Sequence, residues 1–199
     1  MKAKELKALD PLELFRKWYL EAEKLESNNP NACCLATTDI RGFPSARMIL
    51  VKKFDERGFV FYTNLNSKKA ENFSSNSKVA LCFYWKSFSK QVRVEGSIMD
   101  LPSKEADDYF SSRDRDSQIG ALISKQSKLL SGGISELDKK FKLEKAKLGT
   151  RKIVRPSFWS GKIVRPEKIE FWSSRDYRLH ERILYTTFNK RWKKEYLYP

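Results

Sequence analysis

After Asp10-Pro11, apolar residues recur at Leu12, Phe15, Trp18, Tyr19, Ala22 and Leu25. A capping aspartate, a first-turn proline and a stripe at this spacing predict an amphipathic helix over about 11–27, packed on a sheet. From residue 32 the period shortens to two. Runs at 32–38, 46–54, 59–63 and 79–85 read as strands, and Arg41-Gly42 and Asp55-Glu56-Arg57-Gly58 supply turns for antiparallel hairpins. A short helix is predicted at about 67–74.

Polar Gln91, Arg93 and Glu95 alternate with Val92 and Val94, which predicts a strand over 91–101 with one wet face. Pro102-Ser103-Lys104-Glu105 opens a helical region reaching about residue 124, and a charged amphipathic helix is predicted at 134–148. Together they make a helical insertion over about 103–148. Residues 145–155 are basic and aperiodic and read as a surface loop. Strands at 162–172, 177–187 and 192–197 close the chain. No repeat or linker divides it, so one domain over 1–199 is expected. The class is α+β, mainly β: about eight antiparallel strands in a barrel or strongly coiled sheet decorated by helices.

A chain of 199 residues with 40% hydrophobic and 13% aromatic content can bury a core without disulfides or metals. Its formal charge of +15 attracts polyanions, anionic membrane surfaces and phosphorylated small molecules alike. Cys33, Cys34 and Cys82 lack metal-site or redox-pair spacing, and a single histidine excludes a histidine-rich metal centre. Neither a secretory signal nor an apolar run of about 20 residues is visible, so a soluble cytoplasmic protein is expected.

Several stretches carry candidate chemistry. In Arg178-Leu179-His180-Glu181-Arg182, strand alternation would project Arg178, His180 and Arg182 from one face. Two guanidiniums around an imidazole make a poor core, so this face meets water, carboxylates or an anionic ligand. Taken alone, it reads as a solvated strand face. In Phe61-Tyr62-Thr63-Asn64-Leu65-Asn66-Ser67-Lys68-Lys69-Ala70, two lysines in a helix's first turn oppose its dipole unless an anion binds; a capped surface helix is the equal alternative.

Tyr109, Arg113 and Ser117 recur every four residues, which would stack three phosphate donors on one helix face. The plainer reading is a solvated face with Asp114 and Asp116 pairing Arg113 and Arg115. Gln126-Ser127 follows and says little alone. Arg47 and Lys52 flank an apolar strand; five residues apart they fall on opposite faces, so one ligand reaches both only through a bulge or at a strand end.

Taken in order, Arg47-Met48-Ile49-Leu50-Val51-Lys52, Phe61-Tyr62-Thr63-Asn64, Ser112-Arg113 with Asp116-Ser117-Gln118-Ile119-Gly120-Ala121, Ser124-Lys125-Gln126-Ser127, and Glu170-Phe171-Trp172 with Arg178-Leu179-His180-Glu181-Arg182 resemble the pyridoxine/pyridoxamine 5'-phosphate oxidase family. The resemblance runs from about Asp10 to Pro199. It implies a split β-barrel homodimer with flavin mononucleotide (FMN) in clefts between subunits. The flavin site it implies comprises Arg47, Met48, Ile49, Leu50, Val51, Lys52, Tyr62, Thr63, Lys68, Lys69, Gln91, Gln126, Ser127, Trp172 and Arg182. Substrate phosphate would meet Lys52, Tyr109, Arg113 and Ser117, while Arg178 and His180 lie over the pyridine ring as the catalytic pair. The implied reaction passes a hydride from the substrate's exocyclic carbon to the flavin, and dioxygen then takes the electrons to give hydrogen peroxide.

Two features depart from the pattern. Lys68 stands where the family commonly has arginine, which keeps the charge but loses the bidentate fork and predicts weaker flavin binding. Only about ten residues precede Pro11, where many members carry a longer basic segment over the active site. Two other readings compete: a flavin-holding barrel without turnover, and a basic nucleic-acid-binding barrel. The presence of both the Arg178/His180 pair and the Tyr109/Arg113/Ser117 set speaks against the first. Acids interspersed among the cations, with no nucleic-acid motif, speak against the second. The expected partners are a small phosphorylated substrate, dioxygen and a second copy of the chain, without nucleic acid or membrane.

Overall fold

The computed structural model describes residues 10–189 and 191–199, and among these nine strands join one antiparallel sheet. The strands are β1 (Ala32–Thr38), β2 (Pro44–Leu50), β3 (Lys53–Asp55), β4 (Gly58–Asn64), β5 (Lys78–Trp85), β6 (Lys90–Asp100), β7 (Trp159–Ser173), β8 (Glu181–Phe188) and β9 (Arg191–Leu197). The helices are α1 (Pro11–Leu25), α2 (Lys68–Ser75), α3 (Ser103–Ser112), α4 (Arg115–Ile123) and α5 (Gly133–Leu148). The sheet runs β2-β1-β5-β6-β7-β4-β3, with β8 and then β9 added to β7.

β7 is where the sheet forks. One of its edges pairs with β6 along residues 162–173, while the other takes β4 along residues 159–164 and β8 along residues 168–173. At the fork Glu95 faces Lys168 and Gly96 faces Pro166, so Glu167 is the extra residue of a bulge. Proline has no N–H to lose from the ladder and is tolerated at such a point. Glycine is required opposite, because a Cβ on residue 96 would lie 2.0 Å from the Arg165 carbonyl oxygen. The fork makes this a split antiparallel barrel, the expected fold class.

Asp10 caps α1 by accepting from Leu12 N at 2.8 Å, with Pro11 in the first turn. Phe15 from α1 is fully buried and meets Phe59 of β4 and Phe83 of β5 edge-on, at centroid distances of 4.9 and 5.1 Å. Truncating such a ring to alanine costs about 3–5 kcal/mol. β4 is covered on both faces: Phe59 and Phe61 join this core, while Val60 packs with Ala106 of α3 and Ile163 of β7. Arg57 pins the same end of α3, donating to Glu105 at 2.7 and 2.9 Å while also holding Asp55.

Five expectations change. α1 ends at Leu25. The single strand expected at 46–54 is two, because the chain turns at Val51-Lys52; Val51 N still donates to the Asn31 carbonyl in register with β1, but Lys52 N donates to the Val60 carbonyl of β4. The helical region at 103–124 breaks at Arg113, which is extended, and Asp114 caps α4 by accepting from Ser117 N at 2.7 Å. Tyr109, Arg113 and Ser117 therefore do not share one helix face. Finally, the basic stretch 145–155 is helical through Leu148 and then anchored, with Ile153 buried and Arg115 donating to the carbonyls of Gly149 and Arg151.

β8 also starts later than expected. Asp176–Arg178 form a single tight turn in which Tyr177 and Arg178 take φ of 56° and 60°. Arg178 and His180 thus precede the strand that holds Arg182, and simple alternation does not relate the three. Of the short segment before Pro11, residues 1–9 lie outside the described residues.

Candidate functional site

The passage from β4 into α2 is built by side chains folding back on the backbone. Asn64 Oδ1 accepts from Asn66 N at 2.8 Å, and Ser67 Oγ donates to the Asn64 carbonyl at 2.7 Å. Asn64 Nδ2 also reaches the Ser124 carbonyl at 3.1 Å, which draws the segment after α4 towards the start of α2. Lys69 then donates to Ser67 Oγ at 3.0 Å and Gln126 Oε1 at 2.8 Å. Ser127 turns the chain with φ of 69°.

These elements enclose a cleft of about 620 Å³. Of the residues anticipated from sequence, Arg47, Met48, Ile49, Leu50, Lys52, Tyr62, Thr63, Lys68, Lys69, Tyr109, Arg113, Gln126 and Ser127 line it. The end of β2 at Leu50 lets Arg47 and Lys52 face the same space despite their odd spacing. Val51 is buried in the core and Ser117 is not among the lining residues. Asn64, Ala121, Ser124 and Trp159 line it too and were not anticipated as site residues. The signal for Trp159 is its place opposite Asn64 in the β4–β7 ladder, which appears only once β7 is seen to start three residues before Lys162.

The electrostatics are one-sided. Arg47, Lys52, Lys68, Lys69 and Arg113 line the cleft and no aspartate or glutamate does. Burial, then the nearby Arg47 charge, pulls the Lys69 ammonium down to about 8. Burial likewise lowers Arg47. Arg113 Nη1 is buried without a hydrogen-bond partner. Cations crowded in this way call for a polyanion to satisfy them. The far wall is aromatic. Tyr62 and Tyr109 stack at 3.8 Å and 8°, Trp159 lies parallel to Tyr62 at 5.2 Å, and the Arg113 guanidinium sits 5.0 Å from the Trp159 ring. Burial raises the Tyr62 phenol to about 12 and raises Tyr109 as well, so both hydroxyls stay protonated donors at neutral pH.

The remaining anticipated residues form a second group. Gln91, Trp172 and Arg182 stand in one row across β6, β7 and β8. His180 packs against Trp172 with ring centroids 4.7 Å apart. Arg175 N donates to His180 Nδ1 at 3.2 Å, so the neutral ring carries its proton on Nε2. Arg178 is exposed in the adjoining turn. None of these five residues lines the cleft of the same chain.

Among the described residues no group of three or more His, Cys, Asp or Glu side chains is placed to hold a metal ion, and no helix is long and apolar enough to cross a membrane.

Comparison with known proteins gives a consistent result. Residues 159–199, which include the whole second group except Gln91, match a pyridoxine 5'-phosphate oxidase C-terminal dimerisation region. The protein from Burkholderia lata 383 called PhzG, solved in complex with tetrahydrophenazine-1-carboxylic acid, superposes with a TM-score of 0.89 at 27% identity over 96% of this chain and 93% of that one. A pyridoxamine 5'-phosphate oxidase-related, FMN-binding protein from Nostoc punctiforme shares the fold, with a TM-score of 0.76 at 16% identity over 96% of this chain and 99% of that one. The pyridoxine/pyridoxamine 5'-phosphate oxidase of Brucella canis is 48% identical over 198 residues, covering 96% of this chain and 94% of its own. With residues 20–140 also matching the family described as pyridoxamine 5'-phosphate oxidase, this chain belongs to that family.

Proposed function

We propose that the chain oxidises pyridoxamine 5'-phosphate and pyridoxine 5'-phosphate to pyridoxal 5'-phosphate, with FMN as cofactor. The observation that carries this reading is the cleft with five cations and no carboxylate, in a chain 48% identical to oxidases of that name. Two phosphate groups, each near −2 at neutral pH, match two cationic nests. Arg47, Lys68 and Lys69 with Gln126 and Ser127 make one, suited to the flavin phosphate. Lys52, Tyr109 and Arg113 make the other, suited to the substrate, with Ser117 nearby on α4. The unpartnered Arg113 Nη1 and the depressed Lys69 fit such ligands.

The chemistry FMN would supply when bound is acceptance of a hydride from the substrate's exocyclic carbon and its delivery, as two electrons and a proton, to dioxygen, which with the proton lost from the substrate's hydroxyl or ammonium group leaves as hydrogen peroxide. The protein's share is placement and charge. Met48, Ile49, Leu50, Tyr62 and Thr63 shape the wall along which the flavin lies, and Val51 anchors that strand end in the core. Gln91, Trp172, Arg178, His180 and Arg182 complete the site from a second copy of the chain, because each protomer's own cleft lacks them. Arg178 covers the pyridine ring and offsets charge developing on its phenolic oxygen. His180 donates from Nε2. A single-domain homodimer in the cytoplasm accords with the three unbridged thiols, Cys33, Cys34 and Cys82.

Oxygen uptake and peroxide release on adding pyridoxamine 5'-phosphate to the purified yellow protein test this reading. Unphosphorylated pyridoxamine is expected to turn over far more slowly. Equal turnover of both would overturn the phosphate assignment.

A further inference from the structure

Arg47 reaches the cleft as a cation without a carboxylate beside it there. Its Nη1 instead has three neutral acceptors: the Leu35 carbonyl at 3.1 Å, the Ser45 carbonyl at 3.0 Å and Thr37 Oγ1 at 2.8 Å. Two of these are backbone atoms of β1 and β2 and come with the fold. The third is a chosen side chain, 1% exposed, and it has another partner: Asn72 Nδ2 of α2, also 2.8 Å from Thr37 Oγ1. Asn72 is itself 1% exposed, and its Oδ1 has no partner, so the amide sits in this interior for the bond to Thr37 and despite an orphaned acceptor.

The hydroxyl is therefore a buried joint. On one side it holds the guanidinium that β2 sends into the cleft. On the other it holds α2, whose Lys69 lies three residues before Asn72 on the same helix face and supplies the neighbouring ammonium. Arg47 and Lys69 carry like charges that repel each other, which adds to the effect of burial in lowering Lys69, and no carboxylate lines the cleft to keep them together. We propose that Thr37 and Asn72 are positioning residues that fix the spacing of Arg47 and Lys69 for a phosphate monoester. Neither touches the ligand. The proposal rests on the reading of the cleft as the FMN site, and names what sets that site's preference for the phosphorylated flavin.

FMN and riboflavin differ only by the phosphate, so titrating both against the dimeric apoprotein isolates this effect. Thr37→Val keeps the shape and removes the hydroxyl. It is expected to raise the FMN dissociation constant about tenfold while riboflavin affinity stays within about twofold. Thr37→Ser is expected to restore FMN binding to within about threefold of the parent, which a general packing defect would not allow. Equal losses for FMN and riboflavin, or an unchanged FMN affinity in Thr37→Val, would overturn the proposal. Should that variant fail to fold, Asn72→Ala gives the same ratio, and an unaltered ratio there overturns it too. If the parent protein itself fails to bind FMN, the reading of the cleft is what has failed.

Discussion

Glu170 holds Arg182 and Arg93 together: its Oε1 accepts from Arg182 Nε at 2.8 Å and its Oε2 from Arg93 Nη1 at 3.2 Å, in a carboxylate that is only 8% exposed. The bond to Glu170 raises Arg182 above its ordinary value, so this guanidinium is a fixed charge in the sheet. Arg178 has no such tether and projects from an exposed turn.

That contrast is the basis for expecting separate roles. Arg182→Met is expected to weaken FMN binding by about 10-fold or more, with little change in the rate of flavin reduction once the site is full. Arg178→Met is expected to cut the reduction rate by about 100-fold while flavin affinity stays near the parent's. Stopped-flow reduction and flavin titration of both variants decide it, and matching profiles would refute the division.

Lys69 makes flavin affinity depend on pH. Its folded value of about 8 lies below the ordinary 10.5, so the free site is charged below pH 8 and neutral above it. A bound phosphate favours the charged form. Binding above pH 8 must therefore take up a proton, and FMN affinity is expected to fall by up to about tenfold per pH unit between 8 and 10. Without ligand the sign for folding is opposite. Between about pH 8 and 10.5 the unfolded chain holds more protons at this lysine, so this group's contribution to stability rises with pH. Lys69→Gln is expected to lose the pH slope and bind FMN at least about tenfold more weakly, as fluorescence titration across pH would register.

Arg113 offers a test of the substrate phosphate. Its guanidinium lies over Trp159 and leaves Nη1 free of protein partners. Arg113→Met is expected to raise KM for pyridoxamine 5'-phosphate by about 100-fold and to leave the slow oxidation of unphosphorylated pyridoxamine within about twofold. Steady-state oxygen uptake with both substrates is the measurement.

Flavin retention is expected to track association of the chains. Diluting the protein should release FMN over the concentration range in which sedimentation shows dimers separating. A monomer that keeps its flavin would contradict a site completed by a second copy.

The sheet was largely legible in sequence because its signals are local. Cys33, Leu35 and Thr37 alternate inward along β1, and Val92 and Val94 along β6, as period two demands. What escaped depends on single residues overriding a period. The spacing of Tyr109, Arg113 and Ser117 imitates a continuous helix, yet Asp114 caps a new one; the Asp-to-Ser117 interval was the visible clue. The turn before β8 carries no glycine, so the left-handed backbone of Tyr177 and Arg178 left no mark. Most cleft residues were found from the family's motifs, whereas Trp159 in the cleft wall and the buried Thr37 behind it were not. Their roles come from the pairing of β7 and the packing of α2, which sequence spacing does not express.

The separation of the two residue groups within one chain has a genetic consequence. In the two-chain site proposed above, Lys69 belongs to one half and Arg178 to the other, so a chain defective at Lys69 and a chain defective at Arg178 carry lesions in different halves. In a mixed dimer one site gathers both lesions and the other gathers none. Two alleles, each nearly inactive alone, should complement when their products are unfolded, mixed in equal amounts and allowed to reassemble, recovering roughly a quarter of the parental activity.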